Sequence, residues 1–198
     1  MTLPPTQPCP LVAPLTHTIH ALITIPVNGV LKPIWFNKSG EIYTGDITQR
    51  TYDLLKTILK RYLPGNQEVD AAEVRESVAK ESTDSLDDIV APLVVLLQRL
   101  CTGNEETKTR VLKWLIPDDL DRSKPLEQRK DTLGRCLRLL GSVFHPRLKD
   151  AVGQLLYALA DNDRALSCRL TLKHSVDPHL SVGSIRLGGL RQRSRLPV

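Results

Sequence analysis

Apolar residues recur along this chain at the three- and four-residue spacing of a helix face. Leu11, Leu15, Ile19, Leu22 and Ile23 form the first stripe and predict a helix over 11–25. Pro10 and Pro14 suit its first turn, and Pro26 ends it, because proline disfavours α geometry in the preceding residue. An irregular connection through Val27, Asn28 and Gly29 then leads to a small apolar cluster, Ile34-Trp35-Phe36. The next helix is expected to start at Asp46, with Gln49 as the reciprocal partner of a capping box. Its face is Ile47, Leu54, Leu55, Ile58, Leu59 and Tyr62, and Pro64-Gly65 stops it. Residues 68–82 are strongly polar, with only Val69, Val74 and Val78 for a stripe, and read as a short exposed helix or a mobile connector.

Ser85 to Leu100 carries the strongest pattern, with Ser85 and Asp88 as a cap pair and Leu93, Leu96, Leu97 and Leu100 as a continuous face. Pro92 inside it predicts a kink or a break into two pieces. Gly103-Asn104 makes a turn, and Asn104 caps a helix that opens with Glu105 and Glu106, where negative charge complements the dipole. That helix runs through Val111, Leu112 and Leu115 to Pro117. After a polar loop over 117–127, a second pair is predicted at Thr132–Phe144 and Pro146–Asp161, joined by a tight corner at His145-Pro146. Its faces are Leu133, Leu137, Leu140 and Phe144, then Leu148, Val152, Leu155, Leu156 and Leu159.

The two pairs repeat at an offset of 40 residues. Leu93, Leu97 and Leu100 fall on Leu133, Leu137 and Leu140, while Leu112, Leu115 and Ile116 fall on Val152, Leu155 and Leu156. A period of about 40 residues with two or three helices per unit is the signature of armadillo and HEAT repeats. The expected fold is all-α: an armadillo/HEAT-like α-solenoid fragment over residues 1–163, followed by an irregular basic tail over 164–198.

Composition agrees with helix-on-helix packing, since only 4% of the 198 residues are aromatic and 41% are hydrophobic. No apolar run approaches the ~18 residues that span a bilayer. Pro4, Pro5, Pro8 and Pro10, with no basic residue before Lys32, are unlike a signal peptide, so a cytoplasmic protein is expected. The net charge of +5 suggests nucleic acid only until it is located. Seven of the 27 basic residues lie from Arg164 onward, against one of the 22 acidic residues, Asp177. Residues 1–163 thus hold 20 basic and 21 acidic residues, a net of −1. The tail, including Arg191, Arg193 and Arg195, has no aromatic residue to stack a base and no amphipathic stripe for a membrane, and reads as a disordered end.

Candidate chemistry is sparse. Cys9, Cys101, Cys136 and Cys168 are far apart, form no CxxC pair and suit buried apolar roles. His17 and His20 have a spacing seen in helical metal pairs, but no neighbouring Asp, Glu or Cys completes a ligand set, so they read as solvated or hydrogen-bonded side chains. Asp118, Asp119 and Asp121 lack the alternation, central glycine and closing glutamate of a calcium loop. Arg122 is open to a binding role, but the favoured expectation is that it pins that loop by holding Asp118 or Asp121. None of the phosphate-cradle or nucleophile-elbow motifs occurs, and Gly188-Gly189 lacks the strand and helix a cradle requires.

One stretch resembles a known family. Lys113 to Glu127, with Ile116-Pro117-Asp118, Asp121-Arg122 and Pro125-Leu126-Glu127, is similar to the loop of the synembryn family, and Leu133 to Leu140 resembles the helix after it. Leu155 to Asp163, together with His20 to Val27 and Ile34-Trp35-Phe36, extends the similarity over residues 10–163, particularly toward fungal members. It stops after Asp163, which suggests that 164–198 is an alternative or out-of-frame end joined to a middle portion of a longer family chain.

The resemblance implies a cytoplasmic armadillo-repeat protein that binds G-protein α subunits as folding chaperone and non-receptor guanine-nucleotide exchange factor. It implies a regulator of a GTPase with no catalytic residues and no cofactor or metal. The solenoid would capture the C-terminal helix of the α subunit and loosen its nucleotide pocket, bringing this chain near the membrane only through that subunit. It assigns no contact residues, no specific nucleic acid and no particular α subunit. The competing expectation is a generic helical-repeat scaffold or adaptor without exchange activity; an RNA-binding module built on the tail is a weaker one.

Overall fold

The computed structural model of this chain describes residues 11, 13–36, 46–82, 84–120 and 125–160. Cys9, Asp121, Arg122, Cys168 and the basic tail over 164–198 lie outside the described residues. Those described form eight α-helices with no strand among them, in agreement with the all-α expectation.

Helix α1 (Ala13–Thr24) has Pro14 in its first turn and ends two residues before Pro26. Instead of an irregular connection, Gly29–Leu31 make a 3-10 turn that runs straight into the one-turn helix α2 (Lys32–Trp35). Gly29 reverses the chain at φ +51°, a region where a Cβ is strained. The cluster expected at Ile34-Trp35-Phe36 is not buried as a unit. Ile34 is 73% exposed, while Trp35 and Phe36 pack half-buried against the core and Trp35 Nε1 donates to the Pro26 carbonyl at 3.0 Å.

Asp46 caps α3 (Ile47–Tyr62) by accepting from the backbone N–H of Thr48 at 3.0 Å and of Gln49 at 3.3 Å. The capping box is only half formed, because the Gln49 amide donates forward to Asp53 at 3.0 Å. Leu55, Ile58, Leu59 and Tyr62 are buried, and Gly65 turns the chain at φ +62°. The polar segment that follows contains α4 (Ala72–Glu81), whose Val74 and Val78, with Val69 just before it, are buried. Val74 and Val78, one turn apart, with Val69 ahead of the helix, are enough to dock α4 on α3 while its polar majority stays in water.

Helix α5 (Leu86–Gly103) runs unbroken through Pro92. The proline leaves the carbonyl of Asp88 without its helical partner, and Asp88 is exposed, where water can serve it. Burial of Val90, Leu93, Val94, Leu97 and Leu100 outweighs the local cost of about 3 kcal/mol. Asn104 then caps α6 (Glu105–Leu115), its Oδ1 accepting from the Glu106 N–H at 2.9 Å. Gly103 serves packing: a Cβ there would come within 2.5 Å of the Val27 side chain.

Helix α7 (Thr132–Leu140) ends four residues earlier than its pattern suggests, and α8 (Pro146–Ala160) begins at the proline. The early stop has a cause outside α7. Asp70, ahead of α4, accepts from the Ser142 hydroxyl at 2.5 Å and from the N–H groups of Val143 at 2.8 Å and Phe144 at 3.4 Å. Those donors are thereby withdrawn from a longer helix, and Phe144 is left 54% exposed instead of on the buried face.

Helix α5 is the centre of the molecule. Helix α8 packs along it most extensively, with α1, α3 and α6 around it, and α7 lies on α8 and touches α3. Helices α6 and α8, equivalents at the offset of 40, touch each other. Helix α5 makes no substantial contact with α7, however, and is 18 residues long against 9.

Candidate partner-binding surface

The elements that resemble the synembryn loop are anchored from α3. The Tyr52 hydroxyl donates to the Trp114 carbonyl at 2.9 Å, and the two rings lie 5.3 Å apart. Arg110 lies over the Trp114 ring at 4.9 Å and forms an ion pair with Asp46. Burial alone would push the Asp46 carboxyl up, but Arg110 and the N–H groups of Gln49 and Thr48 hold it below its ordinary 3.8. Asp46 thus caps α3 and fixes α6 with the same carboxylate, which sets where the chain leaves Leu115 for the loop. Burial pushes the Tyr52 phenol up to about 12, so it is a donor at any physiological pH.

On the far side of the loop, Asp131 caps α7 by accepting from the Gly134 N–H at 2.9 Å and pairs with Arg129 at 2.6 Å. A Cβ on Gly134 would overlap the Arg129 carbonyl, so only glycine lets the loop cross the helix here. Two arginines of α7 then gather backbone carbonyls from two other segments. Arg135 Nε donates to Leu63 O at 2.8 Å, and Arg138 donates to Glu127 O at 2.5 Å, Arg129 O at 2.9 Å and Gly65 O at 3.1 Å. Burial draws both guanidiniums below their ordinary range without making either neutral at physiological pH. The described flanks of that loop and the helix after it are therefore engaged in architecture.

A third junction joins the first turn of α5 to the start of α8. Asp87, in the first turn of α5, accepts from the N–H groups of Arg147 and Leu148 at 3.1 Å each and so caps α8 across the fold. His145 is buried beside it, with Nδ1 at 3.9 Å from Asp87. Arg147 reaches back to Asp88 at 2.8 Å.

The residues singled out for chemistry are not brought together. His17 and His20 are exposed on α1, as read from the sequence, and Asp118 and Asp119 are exposed after Pro117. Whether Arg122 pins the loop lies outside the described residues. Cys101 and Cys136 are buried core thiols, each pushed up to about 12 chiefly by burial. Among the described residues no group of three or more potential metal ligands exists. The interactions that set the geometry here, through Asp70, Asp87, Arg110, Arg135 and Arg138, were not anticipated. Two arginines set among Leu133, Leu137 and Leu139 are a usable signal; nothing local marks Asp70 or Asp87.

Among the described residues the chain is all-helical, its helices held together by cross-braced junctions. The model of the family described as guanine nucleotide exchange factor synembryn matches residues 1–167, and this chain belongs to that family. The match covers all eight helices, beginning before the similarity read at residue 10 and ending just beyond Asp163. No curated protein and no solved structure matches the chain. No helix among the described residues is long and apolar enough to cross a membrane.

Proposed function

We propose that this chain is a guanine-nucleotide exchange factor and folding chaperone for a G-protein α subunit, acting in the cytoplasm. The carrying observation is the family match over residues 1–167, which takes in every described helix. Residues 1–163 act as a partial armadillo-like solenoid that holds the C-terminal helix of the α subunit. Exchange by such a protein requires no bond chemistry. A factor that binds the nucleotide-free α subunit a hundred-fold more tightly than the GDP-bound form shifts that equilibrium by about 2.8 kcal/mol. GDP then leaves more often and GTP can enter. A scaffold of cross-braced helices suits this role, because a surface that deformed equally well around both states would favour neither.

The motif residues Arg135 and Arg138 are spent on internal carbonyls, so the partner surface is sought among exposed positions. The test is capture of GDP-loaded and nucleotide-free α subunit by the full chain, with GDP release followed on the same samples. Preferential capture of the nucleotide-free form with accelerated release is the expected result. Capture without faster release would favour a helical scaffold or adaptor that lacks exchange activity.

A further inference from the structure

The segment between α1 and α3 has a charge distribution unlike the rest of the molecule. No Asp or Glu occurs before Glu41, so α1, the 3-10 turn and α2 carry no negative side chain at all. At the tip of this segment Val30 is 91% exposed and Ile34 73%, with Ile25 also exposed nearby in the chain. Val30 and Ile34 are four residues apart across consecutive helical turns, which puts both on one side of the tip. Large aliphatic side chains this exposed and this close together mark a contact surface more often than an accident of composition.

Beside the tip is a cleft of about 420 Å³ between this segment and the C-terminal end of α5. Val27, Asn28, Gly29 and Lys32 line one wall, and Gln98, Arg99, Thr102 and Gly103 the other. Its two charges, Lys32 and Arg99, are both cationic, and neither forms an ion pair among the described residues. Glu105 and Glu106, the next acidic residues along the chain, lie outside the lining at the start of α6, and Glu105 is already beside Lys108 at 3.9 Å. Half-buried Trp35, an aromatic type favoured at membrane–water boundaries, sits between tip and body.

We infer that this tip docks on an anionic lipid surface, with Val30 and Ile34 entering the headgroup boundary and Lys32 and Arg99 facing lipid phosphates. Apolar burial or two basic residues alone would give weak, reversible attachment; the two together are what peripheral membrane proteins combine. The contact is independent of any α subunit and belongs to residues 25–35 and 98–103.

The test uses the full chain and vesicles of phosphatidylcholine with and without phosphatidylserine, in sedimentation and in quenching of tryptophan by brominated lipid. The basic tail can itself adhere to anionic vesicles, so the quenching of Trp35 is the deciding signal, assigned by its loss in Trp35→Phe. Expected are quenching only on phosphatidylserine vesicles and at least a ten-fold weaker quenching response in Val30→Ser/Ile34→Ser and in Lys32→Glu/Arg99→Glu. All four positions are at least partly exposed, and unchanged circular dichroism will show that the variants fold. Sedimentation without Trp35 quenching would overturn the inference, as would quenching that survives both double variants. A concentration-dependent dimer abolished by the Val30→Ser/Ile34→Ser change would replace it with self-association.

Discussion

Asp87 on α5 caps Leu148 on α8: the carboxylate accepts the Leu148 N–H at 3.1 Å, although 61 residues separate them. It also accepts the Arg147 N–H, so both unsatisfied donors at the usual capping positions of α8 are served by another helix. Asp87→Ala is expected to destabilise the protein by about 2 kcal/mol, the upper range for loss of a cap, since the site is also buried. Asp87→Asn keeps an acceptor and should lose about half of that. Urea unfolding of the three proteins checks both values, and equal stability of Asp87→Ala and wild type would refute the capping role.

The carbonyl clamp on α7 makes a second prediction. Arg138 donates to three carbonyls in two segments, a geometry that the planar guanidinium can reach and a lysine ammonium cannot. Arg138→Lys should therefore cost about 2 kcal/mol despite keeping its charge. Limited proteolysis should find faster cleavage at 125–130, the segment the clamp secures. Cleavage at the wild-type rate would show that the loop is held by other means.

Acid should loosen the α7–α8 corner. Burial tends to raise the Asp70 carboxyl, but the Ser142 hydroxyl and the Val143 and Phe144 N–H groups outweigh it and hold it below its ordinary 3.8. A carboxyl depressed on folding stabilises the native state above its unfolded pKa, and that contribution drains away as the pH falls from about 3.8 through the native value. Asp70→Asn should show a smaller loss of stability over that window than wild type, measured as denaturant midpoint against pH. Asp46, Asp88 and Glu81 titrate in the same direction, so the difference between variant and wild type is the informative quantity.

Thiol chemistry offers a simpler check. Cys101 and Cys136 are buried with pKa values raised to about 12, so neither supplies thiolate at neutral pH. Peptide mapping after iodoacetamide treatment should find both unlabelled in the native protein and labelled in urea. Rapid native labelling of either would mean that α5 or α7 opens locally.

Close approach at two glycines provides a fifth test. Gly134→Ala should destabilise by about 1–3 kcal/mol, because the added methyl meets a backbone carbonyl of Arg129 that cannot rotate away. Gly103→Ala meets the Val27 side chain at 2.5 Å and its carbonyl at 2.8 Å, and should loosen α1 and α2 from α5. Thermal melts of both variants, read against wild type, measure these costs.

Much of the fold was legible in the pattern, for stated physical reasons. The α5 and α6 caps at Ser85 and Asn104 are local, so a short window of sequence contains both donor and acceptor. The stripes of α3 and α8 are dense enough that any compact arrangement must bury them. Where the extent of α7 was misjudged, the deciding partner was distant. Phe144 lies on the extrapolated face of α7, yet Asp70, 74 residues away, takes the N–H groups that would have carried the helix to it. Gln49 satisfies the spacing of a capping box, and Asp53 on the next turn competes for its amide.

The candidate surface was read even less completely. The helix with Arg135 and Arg138 belongs to the stretch that resembles the family, but residue type alone does not distinguish an arginine aimed at a partner from one aimed at Leu63 and Gly65. By itself the sequence determined that the chain is helical, where most helices begin, which stripes become core and which family it belongs to, because those depend on local propensity, periodicity and motif. Only the tertiary structure decided that α5 is central, that Asp70 and Asp87 terminate and start helices far from themselves, and that an acid-free tip with Val30 and Ile34 projects beside a cationic cleft. Hydrogen bonds and exposure depend on which segments meet, and a one-dimensional pattern does not specify those meetings.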